Sequence, residues 1–406
     1  MDILDFIDLK KNGGEDKRRA KELFITVSCS DLFMERVENN EMFTLFDPYD
    51  TRELTELWGT EFEDKYRYYE ELAKTNPEYF ANQPQQINAK DLWKKFQTMF
   101  WETGIPFLYY KDTANREFFK DIKEEFIQSG ELGLIRSANL CQEYLSPIKD
   151  DEVTVCNLGS VNLAKLTTRE KMERVVRIAT RMLDNVIDVT TYQIPNTEAT
   201  QKTRRSIGLG VCGEAEAIAN LGIMYGSDEH LEWIDETYGM FEYYSDQASI
   251  DLGKEKGACK YSKHGYRNLH RRCIAPTSTI SILMGTSQAH EAVFDKVWIE
   301  DNIIGTIKLT APNLNVNNYA YYINAYEVEQ EKAVRTTARR QKHIDMGISH
   351  NFYFNTATTK GKDVYDTNML AYKLGFKTTY YTRSKSLKLN DLEKKEDKIV
   401  CSGCQN

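Results

Sequence analysis

The sequence predicts an α/β protein, and three observations carry that reading. Short apolar runs such as Gly104-Ile105-Pro106-Phe107-Leu108-Tyr109-Tyr110 alternate with long amphipathic segments. The runs lack strict polar alternation, so the strands are buried on both faces. No internal repeat or low-complexity block interrupts the pattern.

Length and composition bound the class. A chain of 406 residues with 41% hydrophobic content can bury a large core, in one big domain or two to three ordinary ones. No apolar run approaches a membrane span, and the start, Met-Asp-Ile-Leu-Asp-Phe-Ile-Asp, is acidic where a signal peptide is basic. This points to a cytoplasmic location and no membrane partner. A net charge of −9 sets aside a broad nucleic-acid interface but leaves room for small phosphorylated ligands. In a reducing compartment the eight cysteines are packing, metal or redox residues, not a disulfide framework.

In chain order, Glu15-Asp16-Lys17-Arg18-Arg19 follows a polar turn and opens a helix. Cys29 sits in helix-like sequence ahead of Asp31-Leu32-Phe33-Met34-Glu35-Arg36-Val37. Two helices then carry Leu54, Leu57, Trp58, Phe62, Tyr66 and Tyr69, and Leu92, Trp93, Phe96, Met99 and Phe100, at three- and four-residue spacing. Their aromatics are core. Leu132 to Ile135 reads as a short buried strand. Thr167-x-x-Glu170 is a capping box opening a helix with Val175, Val176, Ala179, Met182, Leu183, Val186 and Ile187. Arg204 to Gly213 holds a formal Gly-x-Gly-x-x-Gly. No buried strand precedes it, so a dinucleotide site is rejected. A long helix carries Leu231, Ile234, Tyr238, Phe241, Ala248 and Leu252 and stops near Gly257. Ala371 to Tyr381 reads as a helix, a glycine turn and a strand ending in two tyrosines.

Chemistry concentrates in Ser137-Ala138-Asn139-Leu140-Cys141-Gln142-Glu143. If that stretch is extended, period two places Asn139, Cys141 and Glu143 on one face. A second thiol, Cys156, follows fifteen residues later in Cys156-Asn157-Leu158-Gly159-Ser160. From spacing alone both cysteines suit small buried hydrophobes equally well. Ala275-Pro276-Thr277-Ser278-Thr279 opens a helix with backbone N–H groups and hydroxyls suited to phosphate, or to an ordinary Ser/Thr cap. Beyond Thr382 the chain is charged and aperiodic and closes on Cys401-Ser402-Gly403-Cys404. That dithiol is half a zinc site or a redox pair. No second Cys-x-x-Cys matches it and the histidines show no metal spacing, so redox exchange is the better reading and no metal site is assigned.

Asn-Leu-Cys-x-Glu followed by Cys-Asn-Leu-x-Ser-x-Asn-Leu resembles the active-site segment of the ribonucleotide reductase large subunit. Four further stretches resemble it in order. These are Asp-Leu-Phe-Met-x-Arg-Val with Thr-Leu-Phe, Ala-Pro-Thr-x-Thr-Ile-Ser, Ile344-Asp345-x-x-Ile348-Ser349-x-Asn351, and Lys377-Thr378-x-Tyr380-Tyr381. One departure is local: the family's Glu-Pro after the phosphate segment is Glu291-Ala292 here. The resemblance is to the C-terminal half of a class I large subunit, closest in style to T-even-like phage versions.

The resemblance implies the C-terminal half of a ten-stranded α/β barrel with an active-site finger loop, completed by a separate N-terminal chain. Residues 1–103 would be a mainly helical lead-in, 104–383 the half-barrel and 384–406 a flexible redox tail. It implies reduction of ribonucleoside diphosphates by a thiyl radical on Cys141, with Glu143 as base and Asn139 orienting substrate. Cys156 would be one of two reducing thiols, its partner lying in the missing half, since none of Cys29, Cys212, Cys259 or Cys273 has a matching context. Tyr381 and Tyr380 would relay the radical, Cys401 and Cys404 would reset the disulfide, and Leu158 with Ala275, Pro276, Thr277, Ser278 and Thr279 would hold substrate. The chain would bind no cofactor itself. A di-iron small subunit would supply the radical, and thioredoxin or glutaredoxin the electrons. A glycyl-radical relative, a dithiol redox or binding module and an inactive half-subunit are the alternatives. The first lacks its C-terminal motif and leaves the tyrosine pair unexplained.

Overall fold

The computed structural model describes residues 2–302 and 305–385, with backbone only at 300–302 and 305–307. Among the described residues eleven strands occur: β1 (Thr26–Cys29), β2 (Met42–Leu45), β3 (Gln85–Asn88), β4 (Phe107–Tyr110), β5 (Leu158–Asn162), β6 (Gly208–Cys212), β7 (Val297–Asn302), β8 (Gly305–Thr310), β9 (Phe352–Asn355), β10 (Thr378–Thr379) and β11 (Thr382–Lys385). The helices among the described residues are α1 (Ile3–Asp8), α2 (Asp31–Asn39), α3 (Gly59–Thr75), α4 (Ala89–Thr103), α5 (Lys111–Phe119), α6 (Glu124–Gln128), α7 (Arg169–Val189), α8 (Thr197–Arg204), α9 (Glu214–Leu221), α10 (Asp228–Lys256), α11 (Ser278–Met284), α12 (Gln330–Gln341) and α13 (Gly361–Lys373).

Buried strand pairings run through the molecule as one hydrogen-bonded series. β1 is parallel and β10 antiparallel to β4. The chain leaving β10 bonds to the 350–352 segment through Tyr380 N–H to His350 O and Phe352 N–H to Tyr381 O, both at 2.9 Å. Ile348 bridges Ile274, Arg272 bridges Leu209 of β6, and β6 is parallel to β5. β1 and β5 stand at the two ends. Among the described residues neither has a strand partner on its outer side.

The glycines of Arg204 to Gly213 explain how these strands approach. Gly208 and Gly210 lie within β6, and a Cβ on Gly210 would stand 2.3 Å from the Cys273 carbonyl oxygen. They serve strand packing, in line with rejecting a dinucleotide loop.

Helices cover this framework. α7 packs on α10 through Met172, Val176, Leu183 and Ile187, against Ile234, Tyr238 and Phe241. Another cluster unites α2 and α4 with α12, α13 and β9, drawing on both sides of residue 104. Buried Glu214, at the start of α9, binds α10 and α12. It accepts from the Tyr238 hydroxyl at 2.5 Å and from Arg340 Nε at 3.0 Å, and pairs with His230 at 2.9 Å.

Several local expectations are corrected. Leu132 to Ile135 forms no strand: the Ile135 N–H donates to the buried Asn115 side chain, and Asn115 Nδ2 donates back to the Ile135 carbonyl. Leu134 makes a single antiparallel bridge to Ile148, and at Ile135 a side chain takes the place of a ladder neighbour. Cys29 lies on β1, where burial pushes its thiol up to about 12. Glu15 to Arg19 contains only a 3-10 turn, Asp16–Arg18. The cap of α7 is Thr168, which accepts from the Lys171 N–H. The helix at 361–373 and the turn at Gly375 match expectation, but the following strand is only Thr378–Thr379, so Tyr380 and Tyr381 lie between β10 and β11 and not on a strand.

Candidate active site

The 139–144 loop is tight, not extended. Gln142 takes a left-handed φ of 70°, its N–H bonds to the Asn139 carbonyl, and Tyr144 N–H bonds to Asn139 Oδ1 at 2.9 Å. An Asn side chain that hydrogen-bonds nearby backbone closes such a turn. Asn139 and Glu143 therefore meet across the turn: Asn139 Nδ2 donates to Glu143 Oε1 at 3.0 Å and to Cys156 Sγ at 3.4 Å. Asn139 and Glu143 meet as expected, but through a turn and not through period two, while the Cys141 side chain packs on a separate aromatic cluster.

Residues more than two hundred positions downstream fix the loop. Gly347 N–H donates to the Glu143 carbonyl at 2.8 Å, and a Cβ there would stand 2.6 Å from the Gln142 carbonyl oxygen. The Thr378 hydroxyl donates to that Gln142 carbonyl at 2.6 Å. Ser349 Oγ donates to the Cys141 carbonyl at 2.5 Å and to Glu143 Oε2 at 3.2 Å. Ser349 and Thr378 fall in motifs visible in the sequence, but only the fold reveals their contacts.

Electrostatics follow from this packing. Burial raises the Glu143 carboxyl above its usual range, opposed by hydrogen bonds from its own backbone, Asn139 and Ser349. The Cys156 side chain is exposed, yet protein around its sulfur pushes the thiol up to about 11, and the Glu143 charge adds to this. Cys273 is fully buried, and its thiol is raised first by burial and then by Glu143 and Cys156. A Cβ on Gly208 would stand 2.4 Å from Cys273 Sγ and 2.5 Å from Leu158 Cδ2, so Gly208 separates Leu158 from Cys273. No sequence signal places Cys273 near the site.

Behind Cys141 lies an aromatic group. The half-buried Cys141 packs on a cluster of Ile25, Ile105, Phe107 and Tyr380, with Tyr381 against it. The Tyr380 and Tyr381 rings lie 4.3 Å apart at 56°. Phe107 is 4.9 Å from Tyr380 and 5.0 Å from Tyr381.

Ala275 to Thr279 reaches the same place along one strand pairing. Ser349 N–H donates to the Ile274 carbonyl at 2.9 Å, so Ala275 and Pro276 leave the ladder beside the residue that holds Cys141. Thr277 caps α11 with a left-handed φ of 52°, and its Oγ1 accepts from Ala289 N–H at 2.8 Å. Ser278 and Thr279 open the helix ahead of its first internal bond, from Ser281 N–H to Thr277 O. Cys401 and Cys404 lie outside the described residues. Among the described residues no group of three or more His, Cys, Asp or Glu is placed to hold a metal, and no helix is long and apolar enough to cross a membrane.

The sequence profile of the ribonucleotide reductase barrel domain matches residues 1–262 and 258–382. The chain belongs to the ribonucleotide reductase large-subunit family. It is 36% identical to the ribonucleoside-diphosphate reductase subunit alpha of Helicobacter pylori strain ATCC 700392 / 26695, over 100% of this chain and 62% of that protein. The Chlamydia pneumoniae subunit alpha is 31% identical over 95% of this chain and 43% of its own length. The chain thus spans about three fifths of the Helicobacter reductase subunit. The fold matches the Actinobacillus ureae class Id ribonucleotide reductase alpha subunit with a TM-score of 0.71 at 21% identity, covering 95% of this chain and 68% of that one.

Proposed function

We propose that this chain is the catalytic part of a class I ribonucleotide reductase large subunit and reduces ribonucleoside diphosphates to 2′-deoxyribonucleoside diphosphates. The observation that carries the reading is that the loop bearing Cys141 joins two sets of groups. Asn139 bonds both Glu143 and Cys156, and the Cys141 side chain packs on the cluster that holds the tilted rings of Tyr380 and Tyr381.

A thiyl radical on Cys141 takes the 3′ hydrogen of the ribose. Glu143 accepts the 3′-hydroxyl proton, and burial, by raising its pKa, makes it a stronger base than an exposed glutamate. Asn139 holds Glu143 and orients the hydroxyls. Cys156, with a second thiol, reduces the 2′ carbon and closes to a disulfide. Leu158 lines the sugar site, and Ala275 to Thr279 receives the diphosphate. Tyr381 and then Tyr380 pass the radical inward, and Cys401 with Cys404 reopens the disulfide by thiol exchange, recharged by thioredoxin or glutaredoxin. A di-iron small subunit supplies the radical. The setting is cytoplasmic, in the host cell if the chain is phage-encoded.

The remaining part of the large subunit is the second partner, as a separate N-terminal polypeptide in the manner of a split, T-even-like phage enzyme. It supplies the strands that complete a ten-stranded barrel and the second reducing thiol. Two features support it: the open outer sides of β1 and β5, and an apolar stripe on α7 facing solvent. Ile178, Met182 and Val189 of that stripe are 48%, 62% and 79% exposed. Such edges and faces call for a cover.

The test is reductase activity after co-expression with the N-terminal polypeptide and the small subunit, fractionated by size. Activity confined to the ternary complex and lost on Cys141→Ser is expected. A soluble, active monomer of this chain would overturn the split assignment, and a Cys141→Ser variant with unchanged dithiol function would favour a redox module.

A further inference from the structure

Tyr381 is the outer ring of the tyrosine pair, and a cation stands over it. The Arg383 guanidinium carbon lies 5.2 Å from the centre of the Tyr381 ring. The ring also meets Phe107 edge-on at 5.0 Å and Phe24 edge-on at 6.3 Å. Arg383 is two residues further along an extended segment, so both side chains leave the same side of the chain.

A second set of bonds holds the backbone beneath them. The Tyr381 N–H donates to Asn351 Oδ1 at 3.3 Å. The Asn351 backbone N–H and Nδ2 donate to Glu291 Oε1 at 3.0 Å and 2.8 Å. Glu291 Oε2 accepts from the Tyr353 hydroxyl at 2.7 Å, and the parallel ladder pairs Tyr353 with Arg383. Both ends of the Tyr381–Arg383 segment are therefore registered against β9.

A guanidinium over an aromatic face is attracted by the electron-rich ring. When Tyr381 loses an electron and its proton, the ring becomes electron-poor and the attraction weakens. The cation therefore favours the phenol over the phenoxyl radical at this position.

We infer that Arg383 is a positioning residue that disfavours the radical on Tyr381 and drives it inward to Tyr380 and Cys141. The inference rests on the relay proposed above. In the step concerned, the Tyr381 phenoxyl takes one electron and one proton from the Tyr380 phenol, and Tyr380 then takes one electron and one proton from the Cys141 thiol. The one-electron oxidant that first oxidises Tyr381 belongs to the small subunit.

The experiment uses the assembled enzyme with ring-deuterated tyrosine and freeze-quench electron paramagnetic resonance during turnover. Arg383→Gln is expected to raise the tyrosyl radical at Tyr381 about 2- to 30-fold, the range spanned by measured cation–π energies, and to slow turnover. Arg383→Lys keeps the charge and is expected to return both readings toward wild type. Arg383→Met, which keeps most of the stem, replaces the glutamine variant if that one does not assemble. Unchanged radical occupancy in the uncharged variants overturns the inference, and so does a lysine variant that folds and assembles yet behaves like them. Tyr381→Phe separates the two readings: turnover in that variant sinks the relay itself, whereas lost turnover with no effect at Arg383 sinks only the inference.

Discussion

Asn139 Nδ2 stands 3.4 Å from Cys156 Sγ while donating to Glu143 Oε1 at 3.0 Å, so one amide joins a thiol and a carboxylate from two separate segments. Asn139→Ala removes both bonds, leaves Glu143 with one donor fewer and takes the acceptor from the Tyr144 N–H that closes the turn. Turnover should fall by about 100-fold or more, since misplaced catalytic groups cost that much, and the thermal midpoint should fall as well, because a part-buried N–H loses its partner. Steady-state kinetics beside differential scanning calorimetry checks this.

The pH dependence follows from Glu143. Burial holds its folded pKa above the ordinary value of 4.5. Activity needs the carboxylate, so it is lost as pH falls through that raised value, at higher pH than for an exposed glutamate. Ser349→Ala deletes a donor to the charged form, which raises the value further. The acid limb of kcat/KM should then move to higher pH; a shift to lower pH would contradict the geometry.

Glu214 is shifted in the opposite direction and bears on stability. Burial alone would raise its pKa, but the Arg340 charge and the His230 contact outweigh it and bring the value to about 2. A carboxyl depressed in the folded state contributes stability above its unfolded pKa and loses it as pH falls from about 4.5 toward 2. Arg340→Met leaves that carboxylate buried without its cation, at a cost of about 3–5 kcal/mol. Urea titrations of the assembled protein at several pH values measure both effects.

Gly210→Ala tests the close approach of β6 to the 272–274 segment. Its Cβ would meet a backbone oxygen at 2.3 Å, which no rotamer change relieves. A loss of about 3 kcal/mol is expected. Gly361→Ala, where an added Cβ meets nothing within 4 Å, is the control.

The local part of this site was legible in the sequence. Asn139, Cys141 and Glu143 fall within five residues, and one turn is enough to gather them. Tyr380 and Tyr381 are adjacent and visible as a pair, but a regular strand would send them to opposite faces; their rings meet at 4.3 Å because the two residues lie between β10 and β11. Ser349, Gly347 and Thr378 were another matter, because their contacts to the loop span more than two hundred residues and leave no periodic trace. The same limit misled the reading of Leu132 to Ile135. An apolar run says that a segment is buried, but not that a side chain such as Asn115 will satisfy its backbone in place of a strand.

The central claim is hydrogen abstraction from the ribose by Cys141. Its most direct test is the reduction of a 3′-deuterated ribonucleoside diphosphate by the assembled enzyme, with wild-type chain and with Cys141→Ser. The account predicts a primary isotope effect in the wild type and no reduction in the variant. Reduction that persists in Cys141→Ser, or that shows no sensitivity to 3′ deuterium at a rate limited by chemistry, would contradict it.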